Sequence, residues 1–386
     1  MTSPDARTLD ILNRLIAFDT TSRNSNLDLI RWAESYLAER GVTSALQFDE
    51  TGEKANLWAT IGPADVPGVM LSGHSDVVPV DGQEWASDPF RAETRDGRVY
   101  GRGAADMKAF IALCLAHADD FAAARLKMPV HIALSYDEEV GCLGGRQLAA
   151  MLSGLEVKPR LCVVGEPTNM GVVIGHKGKS SYRCHVRGFE CHSSLTHEGV
   201  NAVEYAALTI AAIRRLAEDK RANGPFDEAF DPPYTTVHTG VVQGGTALNI
   251  VPRDCEFLFE FRNLPADEPE DLLARIRGEA DRLCAEMRAV RPETGIEFER
   301  VAWFAGLETS EDAEVATLAK SFAQTNATSK VSFGTEAGHY HGAGVPTIVC
   351  GPGDIAQAHK PDEFVALDQI AACEAFFGRL LGWMTD

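Results

Sequence analysis

The sequence predicts a two-domain α/β protein in which a small α+β domain interrupts a larger, sheet-based domain. First, 386 residues exceed the usual size of a single hydrophobic core. Second, apolar strands alternate with amphipathic helices over 5–164, which is typical of a sheet covered on both faces. Third, after Gly178 the order of elements becomes β-α-β-β-α-β, as in ferredoxin-like domains. We therefore expect 1–176 and 304–386 to form the larger domain and 177–303 to be inserted into it.

Hydrophobic periodicity locates the elements of the larger domain. Leu9, Leu12 and Leu15 recur at helical spacing, and Gly41 follows a second such pattern where a C-terminal glycine is common. Short apolar runs bounded by turn residues predict strands. In order, we expect helices 5–18 and 26–40, strands 45–48, 56–61 and 69–71, helix 106–125, strand 130–135, helix 144–152, strand 161–164, helix 313–323, strand 347–350 and helix 368–383.

The same patterns give the inserted domain two helices and four strands. These are strand 180–186, helix 201–216, strands 235–242 and 255–261, helix 269–289 and strand 295–301. The α/β pattern resumes after this segment, which is why we treat it as an insertion.

Composition excludes several classes of function. A hydrophobic content of 45% and a charged content of 24% are ordinary for a globular protein, and no apolar stretch is long enough to span a membrane. The formal charge of −20 disfavours binding to nucleic acid or to an anionic membrane. The N-terminus lacks a signal-peptide core, and the nine cysteines are scattered without a Cys-x-x-Cys pair. We therefore expect a cytoplasmic protein.

A histidine and a carboxylate follow the strand at 69–71. His74 and Asp76 are two residues apart, so on an extended backbone their side chains leave the same face. Asp76 could then fix the tautomer of His74 while the other ring nitrogen binds a metal ion. An ordinary polar pair at a surface strand end would explain the same two residues.

Further ligand-type side chains lie at strand ends or at the start of a helix. They are Asp106 after a glycine-rich approach, Glu138 and Glu139 in an acidic run after strand 130–135, Glu166 after strand 161–164, and His359 in a glycine-rich loop after strand 347–350. Taken singly, Asp106 could be a helix N-cap and the acidic run a solvated surface. Ligand sites of open α/β sheets, however, lie at the carboxyl ends of strands. Two histidines and three carboxylates together suit a pair of divalent ions such as zinc or cobalt.

The combined motifs resemble those of the di-zinc aminoacylase and carboxypeptidase superfamily of metallohydrolases, which includes the succinyl-diaminopimelate desuccinylases. The resemblance covers essentially the whole chain. The matching segments are Ser72-Gly-His-Ser-Asp-Val-Val-Pro79, Gly101-Arg-Gly-Ala-Ala-Asp-Met-Lys108, Glu138-Glu-Val-Gly141, Gly165-Glu-Pro-Thr168, Cys191-His-Ser-Ser194, Phe333-Gly-Thr-Glu-Ala-Gly338 and Gly351-Pro-Gly-Asp-Ile-Ala-Gln-Ala-His-Lys-Pro-Asp-Glu-Phe364. The last two, and the His-Ser-Ser form of the segment at 191–194, are most similar to the acetylornithine deacetylase branch.

The resemblance implies a mixed-sheet, zinc-exopeptidase-like catalytic domain with an inserted ferredoxin-like dimerisation domain. It also implies two Zn²⁺ or Co²⁺ ions, whose five ligands would be His74, Asp106, Glu139, Glu166 and His359. Asp106 would bridge the ions, with His74 and Glu166 on one of them and Glu139 and His359 on the other.

The remaining catalytic roles also follow from the resemblance. Asp76 would orient His74, and Glu138 would be the general base for a water shared by the two ions. The chain departs from its relatives at Ala104 and Ala105, where a hydroxyl residue is common. At most one hydrogen bond near the bridging ligand is put in doubt.

Substrate contacts are expected from the inserted domain and from the segment at 333–338. Arg262 and Asn249 would hold the α-carboxylate of the substrate, with hydrogen bonds from Gly334 and Thr335. A surface salt bridge is the alternative explanation of Arg262. His192 would cross the interface of a homodimer and polarise the scissile carbonyl in the partner's site.

The implied reaction is the removal of acetate from N2-acetyl-L-ornithine, a small-molecule substrate, to give L-ornithine for arginine biosynthesis. A desuccinylase, an aminoacylase or a small-peptide carboxypeptidase would use the same metal chemistry, and a metal-free binding module is a different class altogether. Glu336 is a candidate to bind the side-chain amine of the substrate. The alternative is that local hydrogen bonds hold Glu336 away from the substrate.

Overall fold

The structure is a computed structural model and describes residues 3–385. The chain forms two compact units. The first contains the chain up to Gly175, Leu307–Lys330 and the chain from Thr335 onward, and the second contains His176–Gly306 and Val331–Gly334. The second unit is therefore built mainly from one continuous segment, to which the chain returns briefly at Val331–Gly334.

The described residues form strands and helices throughout both units. In chain order these are α1 (Ala6–Ile16), α2 (Leu27–Ala38), β1 (Ser44–Phe48), β2 (Ala55–Ile61), β3 (Val69–His74), β4 (Glu93–Arg95), β5 (Arg98–Tyr100), α3 (Ala109–Ala116), α4 (Ala118–Ala123), β6 (Val130–Ser135), α5 (Leu143–Gly154), β7 (Leu161–Val164), β8 (Val172–His176), β9 (Gly178–Arg187), α6 (Ala202–Asn223), β10 (Thr236–Gly244), β11 (Asp254–Asn263), α7 (Pro269–Val290), β12 (Gly295–Phe304), β13 (Leu307–Glu308), α8 (Glu314–Ala323), β14 (Thr328–Val331), α9 (Ala337–Gly342), β15 (Thr347–Val349), β16 (Phe364–Ala366) and α10 (Leu367–Thr385).

A mixed sheet organises the first unit. Its strand order is β1-β2-β6-β3-β7-β15-β8-β13, with β14 paired to β8. Strands β6, β3, β7 and β15 run parallel, whereas β1, β2 and β8 are antiparallel to their neighbours. Every residue of β3 and β6 is buried because helices cover both faces of these strands. The parallel strands bring their carboxyl ends to one edge of the sheet, and the mixed α/β class predicted from the sequence is confirmed.

The two faces of this sheet meet different helices. On one face Leu71, Ile132 and Val163 join a core that includes residues of α1, α2, α3, α8 and α10. On the other face the hydroxyls of Ser72 and Ser135 point to the residue that precedes α9. Apolar burial on the first face stabilises the unit by about 25 cal/mol per Å², whereas the second face carries a buried polar group.

The second unit is a four-stranded antiparallel sheet with two long helices. The strand order is β10-β11-β9-β12, and the order along the chain is β-α-β-β-α-β, as predicted. Residues of β9 and β11 are alternately buried and half-buried. The buried set, including Tyr182, Phe257 and Phe261, packs with Ile213 of α6 and Ile276 of α7. This alternation is the period of a sheet covered on one face.

The structure differs from the predicted elements around the bridging-ligand candidate. The expected helix over 106–125 is wrong at its start, because Asp106 and Met107 have non-helical backbone angles and α3 begins only at Ala109. Asp106 is therefore not a simple helix N-cap. The sequence did not predict the short strands β4, β5 and β16, since three-residue strands leave almost no periodicity. Among the described residues, no helix is long and apolar enough to span a membrane.

Candidate metal centre

The candidate ligands come from four parallel strands and one turn of the first unit. His74 is the last residue of β3, and Glu139 and Glu166 follow the ends of β6 and β7. His359 lies in the loop after β15, and Asp106 in the kinked turn before α3. Because the carboxyl ends of parallel strands meet at one edge of a sheet, residues far apart in sequence converge there.

The carboxylate of Asp106 lies between the two histidines. Its Oδ1 is 3.0 Å from His74 Nε2, and its Oδ2 is 3.4 Å from His359 Nε2. Glu166 Oε1 is 3.7 Å from His74 Nε2, and Glu139 Oε1 is 3.1 Å from His359 Nε2. The arrangement is thus two half-sites, one with His74 and Glu166 and one with His359 and Glu139, which share Asp106.

Burial and charge at this cluster favour a bound cation. Ligand atoms of His74, Asp106 and Glu139 all lie within 4.8 Å of one another. Burial raises the pKa of Glu166 well above its ordinary value and raises that of Glu139, and the charge of Asp106 adds to both shifts. Several carboxylates that disfavour each other's ionisation are stabilised together by divalent ions, for which carboxylate and imidazole are suitable ligands. The residues present therefore fit a two-ion centre.

Positive charge is drawn to both histidines of the cluster. Hydrogen bonds with Asp106 and Glu139 raise the pKa of His359 to about 10. Burial lowers the pKa of His74, but the charge of Glu166 and the hydrogen bond with Asp106 outweigh it and raise the pKa well above the ordinary value. The site thus has a strong requirement for cationic charge, which protons or metal ions can meet.

The backbone carbonyl of Asp76 lies closer to the His74 ring than the Asp76 carboxylate does. His74 Nδ1 lies 3.0 Å from the Asp76 carbonyl oxygen and 3.6 Å from Asp76 Oδ1. A carbonyl oxygen only accepts, so Nδ1 carries a proton and the lone pair of the neutral ring is on Nε2, which faces Asp106. Residue 76 thus contacts the His74 ring chiefly through its carbonyl oxygen, whereas the prediction named its carboxylate.

The Asp76 carboxylate instead holds the segment that carries two of the predicted acids. Its Oδ1 accepts the backbone N–H of Glu138 at 3.0 Å, and its Oδ2 accepts that of Glu139 at 3.3 Å. The Ser22 hydroxyl donates to Oδ2 at 2.7 Å. Lys54 Nζ pairs with Asp137 in the same segment at 2.5 Å. Sequence reasoning missed Ser22 and Lys54, because neither lies near the motifs that they support.

The side chains of Glu138 and Glu139 have different partners. Glu139 pairs with His359, whereas Glu138 Oε1 accepts the Cys142 thiol at 3.4 Å. Burial raises the pKa of Glu138 well above its ordinary value. A carboxyl group with a raised pKa accepts a proton more readily, which suits a group that exchanges protons during catalysis.

The predicted substrate residues of the second unit lie at its surface. Arg262, on β11, donates from Nε to Glu260 Oε1 at 2.9 Å and is half-exposed. His192 and Asn249 are both exposed, and the two segments are joined where Ser193 N–H donates to the Asn249 carbonyl oxygen at 3.0 Å. The structure therefore brings His192 and Asn249 to one surface of this unit.

The segment at 333–338 is held by close packing at Gly334 and by hydrogen bonds at Thr335 and Glu336. A Cβ on Gly334 would come within 1.7 Å of the Phe304 ring, which explains the glycine. Thr335 is fully buried, and its hydroxyl accepts the Ala337 N–H at 3.0 Å. Substrate contact by these two residues stays a prediction. Glu336 is fully buried and accepts the hydroxyls of Ser72 and Ser135 at 2.8 and 2.7 Å, so its suggested binding of a substrate amine is wrong.

Comparison with known proteins identifies relatives along the whole chain. The family model of peptidase family M20/M25/M40 matches residues 70–382. An acetylornithine deacetylase of Myxococcus xanthus is 38% identical over 380 residues, which cover 95% of each chain. An acetylornithine deacetylase of Proteus mirabilis is 32% identical over 375 residues, covering 95% of this chain and 92% of the relative.

Solved structures share the fold. An M20 family metallo-carboxypeptidase from Sulfolobus solfataricus superimposes with a TM-score of 0.76 at 18% identity, covering 98% of this chain and 99% of that one. A dinuclear metal-binding M20 family peptidase from Bacillus subtilis gives a TM-score of 0.66 at 15% identity, covering 97% and 96%.

Proposed function

Because this chain belongs to peptidase family M20/M25/M40, we propose that it is a metal-dependent amidohydrolase that removes acetate from N2-acetyl-L-ornithine. The product, L-ornithine, would serve arginine biosynthesis. The observation that carries the chemistry is the position of Asp106, whose two carboxylate oxygens face His74 and His359 separately. The substrate is proposed because relatives named acetylornithine deacetylase align over nearly the whole chain.

The ions are proposed to be Zn²⁺ or Co²⁺. His74 and Glu166 would hold one, Glu139 and His359 the other, and Asp106 both. When bound, two such ions lower the pKa of a shared water and polarise the amide carbonyl. The Nδ1 proton of His74, directed at the Asp76 carbonyl oxygen, keeps Nε2 free to act as a ligand.

Glu138 is the proposed general base. It takes the proton of the attacking water and delivers it to the departing amine. Two features support this role: burial raises the pKa of its carboxyl group, and Asp76 fixes its backbone N–H. The adjacent Glu139 pairs with His359 and is therefore the better candidate for a ligand.

Arg262 and Asn249 are proposed to bind the α-carboxylate of the substrate, with Gly334 and Thr335 contributing hydrogen bonds. Arg262 uses Nε to bind Glu260, which restricts the plane of the guanidinium group. A guanidinium that is held at one edge can present its other N–H groups to a carboxylate.

We further propose a homodimer joined through 177–303, with His192 acting in the partner's site. Every residue over 241–250 is exposed, including Val242 and a fully exposed Leu248, and an apolar surface of this kind suits a second copy of the chain. His192 Nδ1 accepts the Ser194 backbone N–H at 3.1 Å, so the neutral ring carries its proton on Nε2. An Nε2–H donor is what a developing oxyanion requires.

Turnover of a panel of substrates tests the proposal. The protein, loaded to equal metal content, is given N-acetylornithine, N-acetylmethionine and N-succinyl-diaminopimelate, and kcat/KM is measured for each. We expect N-acetylornithine to be preferred. A clear preference for the succinylated compound, or failure on all three compounds, would refute the deacetylase assignment and leave the two-ion chemistry in place.

A further inference from the structure

A buried ion pair lies beside the candidate metal centre. Arg102 and Glu363 are each only 1% exposed, and Arg102 Nη1 lies 2.6 Å from Glu363 Oε2. Two charges withdrawn from water in this way are costly unless further hydrogen bonds satisfy both groups. Neither residue belongs to the proposed ligands, base or substrate contacts, so the pair requires another explanation.

Glu363 holds the turn that carries Asp106. Its second oxygen, Oε1, accepts the backbone N–H of Ala105 at 2.9 Å and that of Asp106 at 3.1 Å. The neighbouring strands fix Glu363 in place, because Phe364 of β16 pairs with Tyr100 of β5. One carboxylate thereby determines the direction in which the non-helical turn presents Asp106.

Arg102 reaches the loop that carries His359. Its Nη1 donates to the Lys360 carbonyl oxygen at 3.3 Å, and its Nη2 donates to Gln83 Oε1 at 2.6 Å. Gln83 Nε2 in turn donates to the His359 carbonyl oxygen at 2.9 Å. His359 has a φ of 65°, a left-handed conformation that a side chain other than glycine adopts only when its surroundings hold it there.

We propose that Glu363 and Arg102 are positioning residues that couple Asp106 to His359. The inference rests on the proposed function, which assigns His359 to one half-site and Asp106 to both. The other half-site draws His74 and Glu166 directly from the ends of β3 and β7. Loss of the pair disturbs Asp106, which serves both ions, and the His359 loop, which serves only one, so the ion at His359 is weakened more. Partners behind metal ligands typically change affinity about 10- to 100-fold.

Three variants test the hydrogen bonds of Glu363, of Arg102 and of Gln83 one at a time. Glu363→Gln keeps the shape and one acceptor but removes the charge that binds Arg102. Arg102→Lys keeps the charge but cannot form the same fork of hydrogen bonds. Gln83→Leu breaks the link from Arg102 to the His359 loop, together with a hydrogen bond from Trp85 Nε1, and leaves the Arg102–Glu363 pair in place. Gln83 is partly exposed, so this variant remains informative if a buried variant fails to fold.

A matched control comes from the second unit. Lys220 and Asp267 form another buried ion pair at 2.5 Å, which belongs to that unit alone. Lys220→Met removes a buried pair of similar kind without touching the proposed ligands. Thermal unfolding of all variants reports how much stability each one loses. A positioning role predicts weaker metal binding in the three variants but not in Lys220→Met, whereas a purely structural role predicts a loss of stability alone.

The test is titration of the metal-free proteins with Zn²⁺, together with the number of ions retained after dialysis. Wild type and Lys220→Met should retain two ions, and the three variants should retain one, with the weaker ion regained at about 10- to 100-fold higher free Zn²⁺. Unchanged affinities in the variants, or equal weakening of both ions, would overturn the proposal. If the wild-type protein binds no Zn²⁺, the proposed metal centre is refuted, and the positioning role is refuted with it.

Discussion

The exchange Glu138→Gln should remove most turnover and leave the metal content unchanged. Glutamine keeps the shape of glutamate, and the backbone N–H of residue 138 can still donate to Asp76 Oδ1, 3.0 Å away. The amide is not basic, so the proton of the attacking water loses its acceptor. A general base contributes about 10²- to 10⁴-fold, which corresponds to roughly 3–5 kcal/mol of transition-state stabilisation.

The assay compares this variant with its isosteric neighbour Glu139→Gln. The kcat for N-acetylornithine and the bound metal are measured on both proteins. Glu139→Gln should lose an ion, because Glu139 Oε1 lies 3.1 Å from His359 Nε2. If Glu138→Gln loses metal and Glu139→Gln keeps two ions, the roles of the two residues are reversed. If Glu138→Gln keeps both ions and full activity, the base is another group.

Three further predictions concern the dimer, the substrate and acid stability. A His192→Ala chain mixed with a Glu138→Gln chain should regain activity, since one site of the mixed dimer has both groups, and no recovery would place His192 in its own chain's site. Arg262→Ala should lower kcat/KM for N-acetylornithine about 10- to 100-fold but leave substrates without an α-carboxylate unaffected, and an equal loss on both would contradict carboxylate binding. Burial lowers the pKa of His131 to about 4. The unfolded state therefore binds the extra proton, and the free energy of unfolding should fall by roughly 3 kcal/mol as the pH drops from about 6.5 to about 4; a His131→Phe protein should lose this part of the pH dependence in denaturant titrations.

Local sequence patterns predicted the architecture and the candidate ligands that the structure brings together at one edge of the sheet. Period-two and period-3.6 hydrophobicity predicted the β-α-β-β-α-β order of the second unit and most elements of the first. His74, Glu139 and Glu166 were predicted as site residues because they are polar residues that follow apolar strands. Parallel strands bring their carboxyl ends to one edge of the sheet, so such residues lie close together. These features depend on a few neighbouring residues and on general rules of sheet geometry.

Only the tertiary structure decided how those side chains are held. The Asp76 carboxylate binds the backbone of Glu138 and Glu139, although its spacing suggested that it binds His74. The turn at Asp106 leaves the helical conformation, and the carboxylate of Glu363 accepts its backbone N–H groups. Each of these contacts joins segments far apart in the chain, and the choice among competing hydrogen-bond partners is made by the packed backbone, which local propensity does not encode.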